Sequence, residues 1–371
     1  MAIPLWSRRA MIAGAGSALA GSALAKSMLE STTVSDDGAG LAALAARSHL
    51  PFGAFVAGES LNDRQFVNAL RNNCNLIAPM NDLKRRAIEV APGRYNFTRA
   101  DRMLKWATQA KMAVHGHTLI WYKADPPWLI EQLEKKADGK LLTDYVSRVA
   151  GHCAGRVRSW DVVNESIRPE DGRKDGLRDN IWVNAFGEQY IDMAFHAARR
   201  ADPNALLLFS DYGLETDHPV AERRRKAALG LLERALARGA PIGGVGLHGH
   251  IRRYGFPYRS KVLRPFLDEL RGMGLKIMVT EFDVADWNGP FDTSQRDDEV
   301  AQLARDFTEL VFSYDNLDAF ICFGISDRYS WLNKEKPLLW IPQVRGLPLD
   351  SDMRRKPMWT AIAHSLQTRG T

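Results

Sequence analysis

The sequence predicts one α/β domain closed as a (β/α)8 barrel, the TIM-barrel architecture. Three observations carry this. From residue 50 onward, eight short apolar runs alternate with amphipathic helical patterns, which implies a parallel sheet. No break in composition divides them, and α/β barrels of this length fold as one domain. Polar residues gather at the C-terminal ends of the apolar runs, the face where barrels keep their reactive groups. The rival is an open, doubly wound sheet. It would want a glycine-rich phosphate turn after the first run, and that run, FGAFVA, is not followed by one.

The strands are expected at 52–57, 75–79, 113–120, 159–165, 205–212, 244–250, 276–284 and 319–327. Each is a short apolar stretch bounded by turn residues or by a change to helical periodicity. Helices are expected at 63–72, 100–110, 142–153, 182–200, 220–238, 262–273, 299–314 and 357–367, with Gly239 and Gly274 closing two of them as C-terminal caps.

The strand ends hold most of the chemistry. The second strand ends near Asn81 and Lys84, and the third carries His115 and His117, with Trp121 beyond. The fourth ends on Asn164 and Glu165, the fifth on Asp211 and Tyr212, and the sixth on His248, Gly249 and His250. The seventh ends on Glu281 and Asp283, the eighth on Asp327, with Trp331 in the loop after it. A carboxylate at the end of a buried strand is unfavourable unless it is paired or used. Two of them, Glu165 and Glu281, are the minimum equipment for hydrolysing a glycosidic bond. Blander readings stand beside this one. His115 reads best as a hydrogen-bonded core histidine, Trp106 and Trp359 as packing residues, and Asp283 as the partner of a basic neighbour. His248 and His250 form a His-x-His pair that a metal can use. The first strand, however, offers none of the extra histidines expected of a metal-dependent barrel hydrolase.

Bulk properties exclude several classes. The chain has 371 residues, 45% hydrophobic and 25% charged, with a formal charge of +6. Acidic and basic residues alternate, and the densest basic run, Arg223 to Lys226, is expected to be a solvated helix face rather than a nucleic-acid patch. The three cysteines, Cys74, Cys153 and Cys322, lack metal-ligand spacing and read as buried thiols, with one disulfide as the alternative and a disulfide framework excluded. At the N-terminus, Ser7-Arg8-Arg9-Ala10-Met11-Ile12 resembles a twin-arginine export signal, and Ala23-Leu24-Ala25 offers a cleavage site. The expected division is a signal at 1–25, a linker or loosely attached helix at 26–48, and the catalytic barrel at 49–371. Cleavage removes two arginines and no acids, leaving a charge of +4 in place of +6. The expected location is periplasmic or secreted. No membrane span, nucleic-acid partner, metal or organic cofactor is expected, and the protein is expected to be a monomer.

From about Phe52 to the C-terminus the sequence resembles glycoside hydrolase family 10, whose best-known members are endo-β-1,4-xylanases. The landmarks are Pro92-Gly93-Arg94-Tyr95-Asn96-Phe97, Gly116-His117-Thr118-Leu119-Ile120-Trp121 and the segment Trp160 to Glu165. They continue with Asp211-Tyr212, Gly244-Val245-Gly246, His250, Thr280-Glu281-Phe282-Asp283 and Ser330-Trp331. The resemblance implies a retaining, endo-acting β-glycanase. Glu165 would be the acid/base and Glu281 the nucleophile. Asn164 would bond the sugar 2-OH, and His250 would hold the nucleophile. Asn81 and Lys84 would bind the next sugar, with His117, Tyr122 and His248 also in the sugar-binding shell. Trp128 and Trp331 would form apolar walls. Five positions depart from the family pattern: Met80 for Glu, Tyr122 for His, Ala124 for Gln, His248 for Gln and Phe323 for Trp. All five lie on the substrate side, so the expected substrate is xylan or a related decorated β-glycan. The two alternatives are a metal-dependent barrel hydrolase and a catalytically idle glycan-binding barrel.

Overall fold

A computed structural model of the protein describes residues 39–254, 258–334 and 342–369. The expected signal segment, residues 1–25, lies outside them. Eight parallel strands form the barrel. They are β1 (Phe52–Val56), β2 (Leu76–Pro79), β3 (Ala113–Gly116), β4 (Ser159–Asn164), β5 (Leu206–Asp211), β6 (Gly244–Leu247), β7 (Lys276–Ala285) and β8 (Leu317–Cys322). Each pairs with the next in order, and β8 returns to β1 with Phe52 opposite Phe320 and Gly53 opposite Ile321. Closure leaves no free sheet edge.

The barrel interior is filled, not open. Phe55, Leu76, Ala78, Leu208, Met278, Ala319 and Ile321 form its core, and Met80 and Phe323 pack on it. Truncating a side chain such as Phe55 there should cost about 3–5 kcal/mol, because the cavity left behind cannot close. Close strand contacts need small residues. A Cβ on Gly116 would lie 2.2 Å from the Trp160 ring, so only glycine lets the fully buried Trp160 pack between β3 and β4.

Four expectations about the elements change. Part of the region 26–48 is a helix, but not a loosely attached one: in Leu41–Arg47 the side chains of Leu41, Leu44 and Ala45 are buried. The Ser, Thr, Asp and Gly content that suggested a loose segment lies mostly before it, and small apolar residues let the helix dock. The long helix expected at 182–200 is two, Ile181–Phe186 and Gln189–Ala201, interrupted at Gly187, whose φ is 60°. Regular β3 stops at Gly116, and the His117–Thr118 peptide is cis. Pairing with β4 resumes through Leu119 and Ile120, whose N–H groups donate to the carbonyls of Asp161 and Val162. The basic run is only half solvated. Arg224 and Arg225 are buried; Arg224 pairs with Glu170 at 2.5 Å, and Arg225 donates to the carbonyls of Leu214 and Thr216. Both cations tie the start of the helix Pro219–Ala237 to the loop after β5. The cysteines are all free and buried, as expected.

Candidate active site

The sixth strand shows how local sequence builds the site. It was expected to run to His250, but it breaks after Leu247 and resumes at His250–Arg252, which pairs with the extension of β7 at Asp283–Ala285. Gly249 makes the break possible. Its φ is +79°, a Cβ there would lie 3.0 Å from Val279 Cγ1, and its N–H donates to Glu215 Oε1 at 2.8 Å. The kink brings both histidine rings to Glu281, with centroids 5.8 Å apart and planes at 83°.

Glu281 therefore sits in a nest of imidazoles. His250 Nε2 lies 3.2 Å from Oε2, His248 Nε2 lies 3.4 Å from Oε1, and His117 Nδ1 lies 3.9 Å from Oε1. Burial alone would push the carboxyl up, but the surrounding His248, His250 and His117 hold it down at about 2. Glu281 is thus ionised throughout the neutral range. His250 is the imidazole that hydrogen-bonds it. Its Nδ1 faces Asp283 Oδ1 at 2.9 Å, so both ring nitrogens donate to carboxylates. Burial opposes the charged ring, yet Asp283 and Glu281 raise its pKa well above 6.5. Asp283 in turn accepts from Trp331 Nε1 at 2.6 Å. The expected basic partner of Asp283 is therefore His250.

The other two histidines act differently. His117 shares Asp161 Oδ2 with His115, each at 2.9 Å. His115 is fully buried and also bonded to Ser159 Oγ, a core role as expected. Burial lowers the pKa of His117, with Asp161 opposing. His248 Nε2 lies 3.0 Å from Asn164 Oδ1. An amide oxygen only accepts, so His248 donates there, and the Asn164 amide nitrogen is left to donate to a ligand hydroxyl.

Glu165 ends β4 in a left-handed conformation, φ 56°, which is unfavourable by about 1–3 kcal/mol for a residue with a side chain. Neighbours impose it: the Glu165 N–H donates to the Ser210 carbonyl at 2.9 Å, and its carbonyl accepts from Arg178 Nε at 2.6 Å. Buried Asp211, raised to about 7 by burial, accepts from the N–H groups of Ile167 and Tyr212 and holds the adjoining loops. The Glu165 carboxylate itself is less constrained. Its Oε2 is 3.7 Å from Lys123 Nζ and 4.0 Å from Arg178 Nη2, and that oxygen has no hydrogen-bond partner among the described residues.

The remaining expected residues fall on two sides of this pair. On the β2–β3 side, Lys84 Nζ bonds Asn81 Oδ1 at 3.3 Å and lies 4.7 Å from the centre of the Trp121 ring. Burial lowers the Lys84 pKa, while Glu281 and Glu165 oppose this. Tyr122 stands against Arg178, 4.5 Å away. On the β5–β8 side lies a cavity of about 500 Å3 lined by Tyr212, Arg224, His250, Asp283, Trp287 and Trp331. Trp128 lies in the helix Pro127–Lys135, 5.7 Å from the buried Arg85 guanidinium, a cation also flanked by Tyr145 and Trp182. Trp121, seven residues nearer β3, stands beside Lys84, Lys123 and His117. Lys123, Arg178 and Asp161 also belong to the site without having been singled out. Asp161, inside the Trp160–Glu165 segment, was the most accessible of the three to sequence reading.

These contacts set a defined geometry at the mouth of an eight-stranded barrel, and comparison with known proteins places it. Residues 40–365 match the model of glycosyl hydrolase family 10. The chain belongs to that family. It is 30% identical over 327 residues to the endo-1,4-beta-xylanase B of Thermotoga neapolitana, covering 86% of this chain and 89% of that protein. It is 31% identical over 294 residues to a beta-1,4-xylanase of Dictyoglomus thermophilum, covering 77% and 80%. Among solved structures, native xylanase 10B from Thermotoga maritima superposes with a TM-score of 0.79 at 27% identity, covering 88% of this chain and 98% of that one. As a family 10 protein the chain is a glycoside hydrolase, and family 10 hydrolysis is retaining.

Among the described residues one group has donor atoms close enough for a metal ion: His248, His250 and Glu281 offer atoms within 4.8 Å of one another. His250 already bonds Glu281 and Asp283, and His248 bonds Asn164, while Glu281 Oε1 has no hydrogen-bond partner among them.

Proposed function

We propose that this protein cleaves internal β-1,4 linkages of xylan or a xylan-like, decorated β-glycan, with Glu281 as nucleophile and Glu165 as acid/base. The observation that carries the assignment of roles is the contrast in charge environment. Glu281 is kept ionised by His248, His250 and His117, as a group attacking an anomeric carbon must be. Glu165 is free of such anchoring. In the first step Glu165 donates its proton to the leaving oxygen while a Glu281 oxygen bonds to the anomeric carbon and the glycosidic C–O bond breaks. In the second, Glu165 takes a proton from water, which displaces Glu281 and restores the configuration. Asn164 donates to the sugar hydroxyl beside the reacting carbon. The relatives named as xylanases, from Thermotoga neapolitana and Dictyoglomus thermophilum, support the linkage. Met80 and Phe323, packed on the apolar top of the barrel core, favour a substituted sugar over a bare one. Incubation with a panel of β-linked polysaccharides, with products sized and their anomeric form read by NMR during early hydrolysis, tests the reading. Internal cleavage with β products supports it, and α products from a β-glycan would overturn the retaining mechanism. Full activity after exhaustive chelation is expected, and its loss would favour a metal-dependent hydrolase.

The same reading includes export. The Ser7-Arg8-Arg9-Ala10 pattern and the Ala23-Leu24-Ala25 site support twin-arginine transport to the periplasm or beyond. Arg8→Lys with Arg9→Lys should leave unprocessed precursor in the cytoplasm; normal processing would point to another route.

A further inference from the structure

The β2–β3 side of the mouth carries more positive charge than its own carboxylates neutralise. Two ammonium groups stand over one indole: Lys84 Nζ at 4.7 Å and Lys123 Nζ at 5.4 Å from the Trp121 ring centre. Arg178 adds a third cation, over the neighbouring Tyr122. Among the described residues Lys84 has no carboxylate within ion-pair distance, and Met80, at the end of β2, is apolar. Lys123 has one carboxylate partner among them, Glu165 at 3.7 Å.

That partnership cannot last through the reaction. Glu165 must carry a proton to donate it, and a protonated carboxyl no longer balances Lys123. A cation beside a bound sugar, partly screened from bulk water, gains from a nearby counter-charge. An acidic substrate can supply one. Lys123 is half exposed, its side chain 55% accessible, so it can reach outward to a branch on a sugar stacked against Trp121.

We infer that this side of the site binds an acidic branch, a uronate carboxylate, on the β-linked glycan, and that Lys123 recognises it, with Lys84 and Arg178 supplying the surrounding positive field. The inference rests on the β-glycanase reading and narrows its substrate. The uronate carboxylate takes over from Glu165 as counter-ion of Lys123, which leaves Glu165 free to hold its proton. Lysine is a point charge rather than a fork, so the contact demands an anion more than a shape. Attraction of this kind weakens with salt.

The test compares kcat/KM for two matched β-1,4-xylo-oligosaccharides, one with a single glucuronate branch and one with that carboxyl reduced to an alcohol. The acidic substrate should be preferred by about tenfold or more at low salt, about 1.4 kcal/mol. The preference should shrink as salt is added. Lys123→Met should bring the ratio close to one, and Lys123→Arg should keep most of it. Equal kcat/KM on both substrates in the wild type, or a preference that survives Lys123→Met, overturns the inference and leaves the glycanase reading intact. A greater preference for a sulfate ester of the same oligosaccharide overturns the carboxylate assignment. Cleavage of neither substrate, nor of any other β-glycan, would sink the glycanase reading itself.

Discussion

Glu165 and Glu281 end strands β4 and β7 of the same barrel, yet their surroundings are opposites. Glu281 is enclosed by three imidazoles, and one of these is itself fixed by Asp283 and, through it, Trp331. Glu165 has a tightly held backbone and a loosely held carboxylate, whose ion-pair partners among the described residues are the half-exposed Lys123 and the more distant Arg178. A nucleophile needs one charge state and one position. An acid/base must change charge state twice per turnover, so a rigid cage of fixed partners would hinder it. The two halves of the site therefore differ in how firmly they commit to a charge.

The largest effect that could break this comparison comes from Glu281→Gly. Turnover should vanish, and azide should partly restore it with an activated aryl glycoside. The glycosyl azide formed should be α, because the anion enters from the emptied nucleophile side; a β azide would exchange the roles of the two glutamates. Glu165→Gln comes next, with a loss of about 10²–10⁴-fold on natural glycans. The loss should be slight in the first step when the leaving group needs no proton, and an equal loss on both substrate types would deny Glu165 its role as acid.

Met80→Glu sharpens the comparison from the substrate side. A carboxylate at the end of β2 would accept hydrogen bonds from sugar hydroxyls, each worth roughly 1.5–3 kcal/mol. The variant should gain about 10- to 150-fold in kcat/KM on linear xylo-oligosaccharides. If the wild type already turns these over at about 10⁴ M⁻¹s⁻¹ or faster and the variant gains nothing, bare xylan is the substrate.

Asp283→Asn should have the smallest effect on rate, about tenfold in kcat, with a pH signature of its own. Asp283 helps raise the His250 pKa well above 6.5, and its removal lets that pKa fall. A raised histidine stabilises the fold below its unfolded value and loses that contribution as pH rises through the folded one. In the variant this loss should therefore move to lower pH, as should the alkaline limb of kcat/KM. NMR titration of His250 reads the change directly, and an unmoved His250 would show that Glu281 alone holds its proton. Glu281, held at about 2, should contribute no acid limb above pH 4 in either protein.

How far the sequence could be read differs between the same two regions. Glu281 sits in an apolar run, and a buried strand of ordinary length projects its last residues to the barrel mouth by geometry alone. The two histidines that follow β6 needed more. Strand alternation places His248 and His250 on one face, but their actual approach to Glu281 depends on the Gly249 kink and on pairing with the far end of β7. Around Glu165 the sequence said less. Lys123, 3.7 Å from the Glu165 carboxylate, passed unnoticed. It lies in the connection after β3, where no periodicity constrains side-chain direction.

The amino-acid pattern by itself determined the eight strand–helix units, the order of the strands and the two carboxylates at their ends. Those features are local: apolar periodicity selects each element, and right-handed crossovers leave few ways to join parallel strands. What the tertiary structure decided is which distant groups meet. The pairing of Asp161 with His115 and His117, of His248 with Asn164, and of Lys123 with Glu165 depends on barrel closure and loop paths. Hydrogen bonds and ion pairs require approach within about 3–4 Å, a distance that no spacing along the chain specifies.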